Sequence, residues 1–185
     1  MSVKDLRYRR TEYLLSSSLF CLLETKEFNE VKISELTSKA GISRQAFYSH
    51  YEDKYDFLNQ LNSLLIMKIQ NLLLVKMKHP KKVLLLISVL EQLSKDTEFC
   101  VNLSRLSTVN RSICEPNFEY LDSRLEKLFF TYFSGYHWKT DCYCHTNYFQ
   151  EFLGKTITNA LLSAASGQSD IPLKILHTHL NLFDH

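Results

Sequence analysis

Apolar side chains return at three- and four-residue steps along most of this chain, so helices are expected nearly throughout. Leu6, Leu14, Leu15, Leu19, Leu22 and Leu23 form one stripe and predict a first helix over about residues 5–24. Residues 25–29 then read as a loop, with Phe28 placed to plug a small core. Ile33, Leu36 and Ala40 predict a short second helix over 34–40, with Ser34 as a candidate N-cap. Gly41 follows where a left-handed residue ends a helix without a Cβ clash. Ser43 is a preferred N-cap for a third helix running from Arg44 to about Tyr51. On that helix Phe47 and Tyr51 lie four apart and can face a core, which leaves Arg44, Gln45, Tyr48 and Ser49 outward. Leu58, Leu61, Leu64, Leu65, Ile69, Leu72 and Leu73 keep helical period in a long fourth helix, from an Asp53 cap to Met77 or Lys78. His79-Pro80 stops it, because proline disfavours helix at the residue before it.

The second half continues the pattern. VLLLISVL, within a helix expected at 82–95, is apolar on nearly every side and reads as buried. A parallel strand would hold eight apolar residues equally well, but no βαβ rhythm surrounds it. A helix follows at about 98–109. Pro116 suits the first turn of another running to about Ser134, with Leu121, Leu125, Leu128 and Phe129 as its inner stripe. An aromatic loop at 135–144 precedes helices expected at 145–166 and 171–183. The fold class is all-α with about nine helices. The domain boundary is expected inside the long fourth helix, dividing 1–58 from 59–185.

Composition agrees with this picture. Among 185 residues, 45% are hydrophobic, and Gly (4) and Pro (3) are scarce, so a sizeable helical core is affordable. The net charge of +2 is too small to argue nucleic-acid binding from the whole molecule. No uninterrupted apolar run is long enough to span a bilayer. Five cysteines, with no signal-like segment in the polar, basic residues 1–10, are expected as free thiols in a reducing cytoplasm. Lys4, Arg7, Arg9 and Arg10 offer a basic arm for phosphates; as a plain alternative, basic termini are common and often unordered.

Helix, Gly-Ile-Ser, helix is the length that a helix-turn-helix needs. Arg and Gln exposed at the N-terminal end of its second helix suit a major groove, Arg forking onto guanine and Gln pairing with adenine. The plain alternative is a solvated helical hairpin within a larger helical domain. Residues 8–58 resemble the N-terminal DNA-binding domain of TetR-type transcription regulators. The residues that carry the likeness are Phe28, Ile33, Leu36, Ala40-Gly41-Ile42-Ser43, Phe47-Tyr48-Ser49-His50-Tyr51, Asp53-Lys54 and Phe57-Leu58.

The resemblance implies base contacts from Arg44 and Gln45. It implies phosphate or mixed contacts from Tyr48, Ser49 and His50, a phosphate grip from Lys54, and further contacts from Ser43 and Thr37 in the same turn region. Half-buried packing is the alternative for Tyr48, and an internal hydrogen bond for His50. The likeness further implies a homodimer on a pseudo-palindromic operator in double-stranded DNA, with a small-molecule effector bound in the body. Such a protein would be a repressor released by its ligand. The dimer face would be Phe149, Phe152, Leu153, Ile157, Ala160, Leu161 and Ala164 on the penultimate helix, with small residues such as Gly154 allowing close approach. The alternative for that face is an intramolecular core. Effector-pocket candidates are Phe129, Phe133, Tyr136 and Trp138, whose aromatic spacing equally fits plain core.

Residues 1–60 hold nine Lys/Arg (4, 7, 9, 10, 26, 32, 39, 44, 54) and nine Asp/Glu (5, 12, 24, 27, 30, 35, 52, 53, 56). A neutral head is unusual for a DNA-binding module. It keeps open a second reading, a TetR-fold protein-interaction module or co-regulator with weak or lost DNA binding. Cys142 and Cys144, with His137 and His145 near them, carry donor chemistry for a metal or a redox thiol, but Cys-x-Cys lacks the usual spacing and unreactive loop cysteines are the simpler reading. No metal or other cofactor is expected. No phosphate loop, nucleophile elbow or HExxH is present, so no enzyme is expected.

Overall fold

The computed structural model describes residues 3–76, 82–115, 118–134 and 146–167, together with Leu176 and Thr178. Among these residues the chain is all-helical: α1 (Val3–Leu22), a 3-10 turn (Phe28–Glu30), α2 (Ile33–Ala40), α3 (Arg44–Tyr48), α4 (Lys54–Lys76), α5 (Lys82–Ser94), α6 (Thr97–Arg111), α7 (Leu121–Phe133) and α8 (Thr146–Ala165). Of the helix expected at 171–183, only Leu176 and Thr178 are described, both helical, with Leu176 buried. Contacts sort the chain into two compact units. One is Met1–Asn62 together with Val109–Phe118, and the other is Ser63–Thr108 together with Glu119–His185. The division passes through both α4 and α6.

In the first unit, Leu15 and Leu19 of α1 are buried, as are Phe28, Leu36, Phe47, Phe57 and Leu58, all essentially inaccessible to water. Phe47, Tyr51 and Phe57 form an aromatic knot, with ring centroids 5.3 Å apart for Phe47–Tyr51 and 4.8 Å for Tyr51–Phe57. Val109–Phe118 joins this unit through specific contacts. Asn62 and Asn110 exchange two side-chain amide hydrogen bonds of 3.0 and 3.1 Å while buried. Asn29 Nδ2 donates to Ser112 O at 3.4 Å, and Phe118 lies edge-on to Tyr55 at 6.5 Å.

That placement of Phe118 bears on the next helix, expected to start at Pro116. Residues 116–117 lie outside the described ones, but 118–120 are not helical and α7 begins only at Leu121, with Tyr120 as N-cap. α7 therefore starts five residues after the proline, with Phe118 buried ahead of it. Two other ends also moved. The N-cap of α2 is Lys32 rather than Ser34, because the Glu35 carboxylate reaches back to the Lys32 N–H at 3.4 Å. Further on, α3 ends at Tyr48 rather than near Tyr51. Ser49 Oγ donates to Ala46 O at 2.7 Å, and the chain turns there to send Tyr51 into the core.

In the second unit α7 and α8 pack side by side and α5 packs on α8. VLLLISVL is helical, with Val83, Leu86, Ile87, Val89 and Leu90 buried and Leu84 exposed. Gly154 allows the α7–α8 approach: a Cβ there would stand 2.9 Å from Glu126 O on the backbone of α7. Leu153, Ile157, Ala160 and Leu161, expected to face a second subunit, are buried in this unit's own core. The apolar spacing was real, but α7 and α5 already cover that face. Of the other expected dimer residues, Phe152 is 62% exposed and Phe149 and Ala164 are partly exposed. No described helix is long and apolar enough to cross a membrane.

Candidate nucleic-acid interface

The helix-turn-helix is built by its turn. Gly41 adopts φ 67°, ψ 29°, the left-handed region, and closes α2 with its N–H on Ser38 O at 3.2 Å. Two residues later Ser43 Oγ accepts the Ala46 N–H at 3.0 Å, a side-chain N-cap. Phe47 then points into the core. Arg44, Gln45, Tyr48 and Ser49 are exposed, Tyr48 by 56%. Tyr48 is more open than a half-buried packing residue, with one edge-on contact to Phe47 at 5.5 Å. This open face has a guanidinium and a primary amide at its leading end, the groups that pair bidentately with guanine and adenine edges.

The start of α4 is organised differently. Asp53 Oδ1 accepts from both the Tyr55 and Asp56 N–H groups at 2.8 Å, and Asp56 Oδ2 accepts from the Glu52 N–H at 3.0 Å. Two carboxylates thus occupy the anion-attracting end of the helix. Lys54, expected to grip a phosphate here, turns inward. Its Nζ donates to the carbonyls of Phe28 at 3.0 Å, Asn29 at 2.8 Å and Val31 at 3.1 Å. An ammonium has three N–H donors, and all three are engaged. The charge also lies 5.1 Å from the Phe28 ring centroid and 5.5 Å from that of Tyr55, within cation–π range. Burial pushes the Lys54 pKa below its ordinary value, against the opposing pull of Asp53. In this geometry Lys54 ties the 3-10 turn to α4 and presents no donor to a phosphate.

Thr37 is the second expected contact that lies inside. It is 3% exposed, and its hydroxyl donates to Ile33 O at 2.8 Å within α2. His50 is intermediate. Its ring meets Tyr8 of α1 edge-on at 4.9 Å, so it packs within the head. Ser43 is exposed, with its Oγ engaged as the cap.

The cations divide in the same way. Lys26 is tied to Glu35 at 2.6 Å, which holds that carboxyl below its usual pKa, helped by the Lys32 N–H. Arg9, Arg10, Lys32, Lys39 and Arg44 are exposed, while the side chains of Lys4 and Arg7 lie outside the described ones. Lys39, at the last turn of α2, was passed over by pattern reading. Its signal was its place two residues before the turn glycine, on the polar side of a helix whose other face holds Leu36 and Ala40.

In the second unit, Phe129 and Phe133 are buried, and Gln150 Nε2 donates to Phe133 O at 3.1 Å. Tyr136 and Trp138, the other pocket candidates, lie outside the described residues, as do Cys142, Cys144, His137 and His145. Cys21, Cys100 and Cys114 are free thiols. Thr158 is 1% exposed, and its Oγ1 has no hydrogen-bond partner among the described residues.

A capped helix-turn-helix at the head of an all-helical chain defines a class of architecture, and comparison with known structures agrees. The chain is similar to the reduced form of NemR from E. coli, with TM-score 0.63 and 16% identity over 95% of this chain and 97% of that one. It is also similar to a gamma-butyrolactone receptor described as ArpA-like (TM-score 0.55, 14% identity, 96% and 98% covered). A third match is the dihydroxyacetone kinase operon activator DhaS (TM-score 0.53, 14% identity, 95% and 98% covered). The fold is TetR-like. No family model matches the sequence, and no curated protein sequence matches it.

Proposed function

We propose that this chain is a DNA-binding transcriptional regulator. It acts as a homodimer and reads a pseudo-palindrome with the Arg44, Gln45, Tyr48 and Ser49 face of α3. The observation that carries this reading is the capped α3, with Phe47 buried and four polar or aromatic side chains left open at the groove-facing end. Residues 1–58 serve as the DNA-binding domain and 59–185 as the sensor and dimerisation domain. Arg44 and Gln45 supply sequence preference, and Lys39 and Lys32 join the phosphate contacts in place of Lys54 and Thr37. Two such heads would take half-sites about 34 Å apart.

The body's role is that of a repressor's ligand switch. A small molecule that binds one spacing of the two heads better than the other shifts the population toward it. The buried Thr158 hydroxyl, without a hydrogen-bond partner among the described residues, supports a site for a ligand with an acceptor or donor group. One similar protein is a gamma-butyrolactone receptor and another an operon activator, which supports the coupling of a small-molecule signal to transcription. Exposed Tyr148 and Phe152 on α8 are the apolar residues offered to the second subunit, in place of the buried Leu153, Ile157, Ala160 and Leu161.

One specific observation favours a second reading, that the head docks onto a protein. The α4 N-terminus is filled by Asp53 and Asp56, and Lys54 is engaged internally, so the start of α4 offers no phosphate anchor. Selection from random duplexes at low and moderate salt separates the two. Enrichment of a two-half-site pseudo-palindrome supports the regulator. Retention without enrichment, or no retention, removes sequence-specific DNA binding and leaves the interaction module.

A further inference from the structure

A five-residue helix has almost no stability of its own, so the direction of α3 is set by its buried Phe47 and by what ties its two ends. The N-terminal end is held by the Gly41 turn and the Ser43 cap. The C-terminal end is held by a cluster that includes a residue from α1, far from it in sequence. The Tyr8 hydroxyl donates to Gln60 Oε1 of α4 at 3.1 Å, and the Tyr8 ring meets His50 edge-on at 4.9 Å. Gln60 Nε2 reaches back to His50 O at 3.5 Å and lies 3.4 Å from both carboxylate oxygens of Asp56. Beside this cluster Tyr51 is 2% exposed. Burial pushes its phenol pKa up, and the Tyr8 hydroxyl and the Glu12 carboxylate push it further.

We infer that Tyr8 is a positioning residue for sequence reading: through Gln60 and His50 it holds the C-terminal end of α3, and hence the angle at which Arg44 and Gln45 enter the groove. The inference rests on the proposed DNA-binding function. It separates two kinds of binding. Base-edge hydrogen bonds tolerate displacements of only about 0.5 Å, whereas attraction to phosphates acts over about 8–10 Å. Loosening the tie should therefore reduce discrimination and spare non-specific affinity. Tyr8 itself need not touch DNA.

The test uses the full chain and the duplex enriched by selection, with a scrambled duplex beside it. Tyr8→Phe removes only the hydroxyl and keeps the ring on His50, so the fold should survive. Its affinity for the enriched duplex should fall about five- to tenfold, the effect of one hydrogen bond. Affinity for the scrambled duplex and the salt slope of both should stay at wild-type values. Gln60→Met, which also releases His50 O and Asp56, should give at least the same loss, and the double variant less than the sum of the two, because both remove the Tyr8–Gln60 bond. Wild-type discrimination in Tyr8→Phe, or an equal fall on both duplexes, overturns the inference and leaves the proposed function standing. A wild-type chain that prefers no duplex overturns the function and the inference together.

Discussion

Two helices of the head, α3 and α4, begin within ten residues of each other and end up with opposite surfaces. At α3 the cap is a neutral hydroxyl, Ser43, and the next two side chains, Arg44 and Gln45, stand in solvent. At α4 the cap is a carboxylate, Asp53, a second carboxylate lies behind it, and the lysine between them turns inward onto three carbonyls. Any helix start attracts anions through its exposed N–H groups. At the first the side chains of Arg44 and Gln45 stand in solvent, and the second is closed by its own side chains. A positive residue at a helix start is thus not in itself a phosphate contact; what matters is whether the ammonium has other acceptors within reach.

The largest effect that would test this contrast is at Lys54. Lys54→Met leaves three carbonyls without their cation, and unfolding stability should drop by about 2–4 kcal/mol in a denaturant titration. Unchanged stability with weakened duplex binding would return Lys54 to the phosphate contacts. Arg44→Ala should do the reverse. Thermal stability should stay close to wild type, while discrimination between enriched and scrambled duplexes falls by about 1–3 kcal/mol. A sequence-blind loss would contradict the base-reading role.

Asp53→Asn keeps a good N-cap but removes one negative charge from the start of α4. Binding to any duplex at low salt should strengthen about two- to fourfold, converging with wild type as salt rises, as expected for a change of one charge near phosphates. The smallest effect concerns pH. Asp96 starts α6 as Asp53 starts α4, accepting the Phe99 N–H at 2.9 Å, and it also pairs with Lys68 at 2.6 Å. The Lys68 hydrogen bond, then that of the Phe99 N–H, holds its pKa below the ordinary 3.8. A depressed carboxyl contributes stability above its ordinary value and loses it as pH falls through the lowered one. Wild type should therefore lose a stability increment of under about 1 kcal/mol below pH 4 that Asp96→Ala never has, a small figure because the pair is solvent-exposed. The hydroxyl cap of α3 has no group to titrate there, so Ser43→Ala should lower stability equally at both ends of that pH range.

Much of this was legible in the residues. Helical spacing located the eight described helices, because burial demands one apolar face whatever the neighbours are. Gly41 and Ser43 announced their roles, since a left-handed turn and an N-cap are properties of two or three consecutive residues. Arg44, Gln45, Tyr48 and Ser49 were correctly placed outside by the spacing of Phe47 and Tyr51. The same reasoning did not foresee that Lys54 and Thr37 would bond backbone carbonyls. It failed also for the inner face of α8, where Leu153 and Ile157 showed a need for cover without showing what covers it.

The sequence by itself determined the all-helical class of the described residues, the turn between α2 and α3, and which side of α3 is open. These follow from forces acting within one or two helical turns. Only the tertiary structure decided that Lys54 and the α4 start are closed, that Val109–Phe118 belongs with the head through Asn62 and Asn110, and that Tyr8 reaches the end of α3. The Lys54, Asn62–Asn110 and Tyr8 contacts each join residues more than twenty positions apart, and no local spacing encodes which distant donor finds which acceptor.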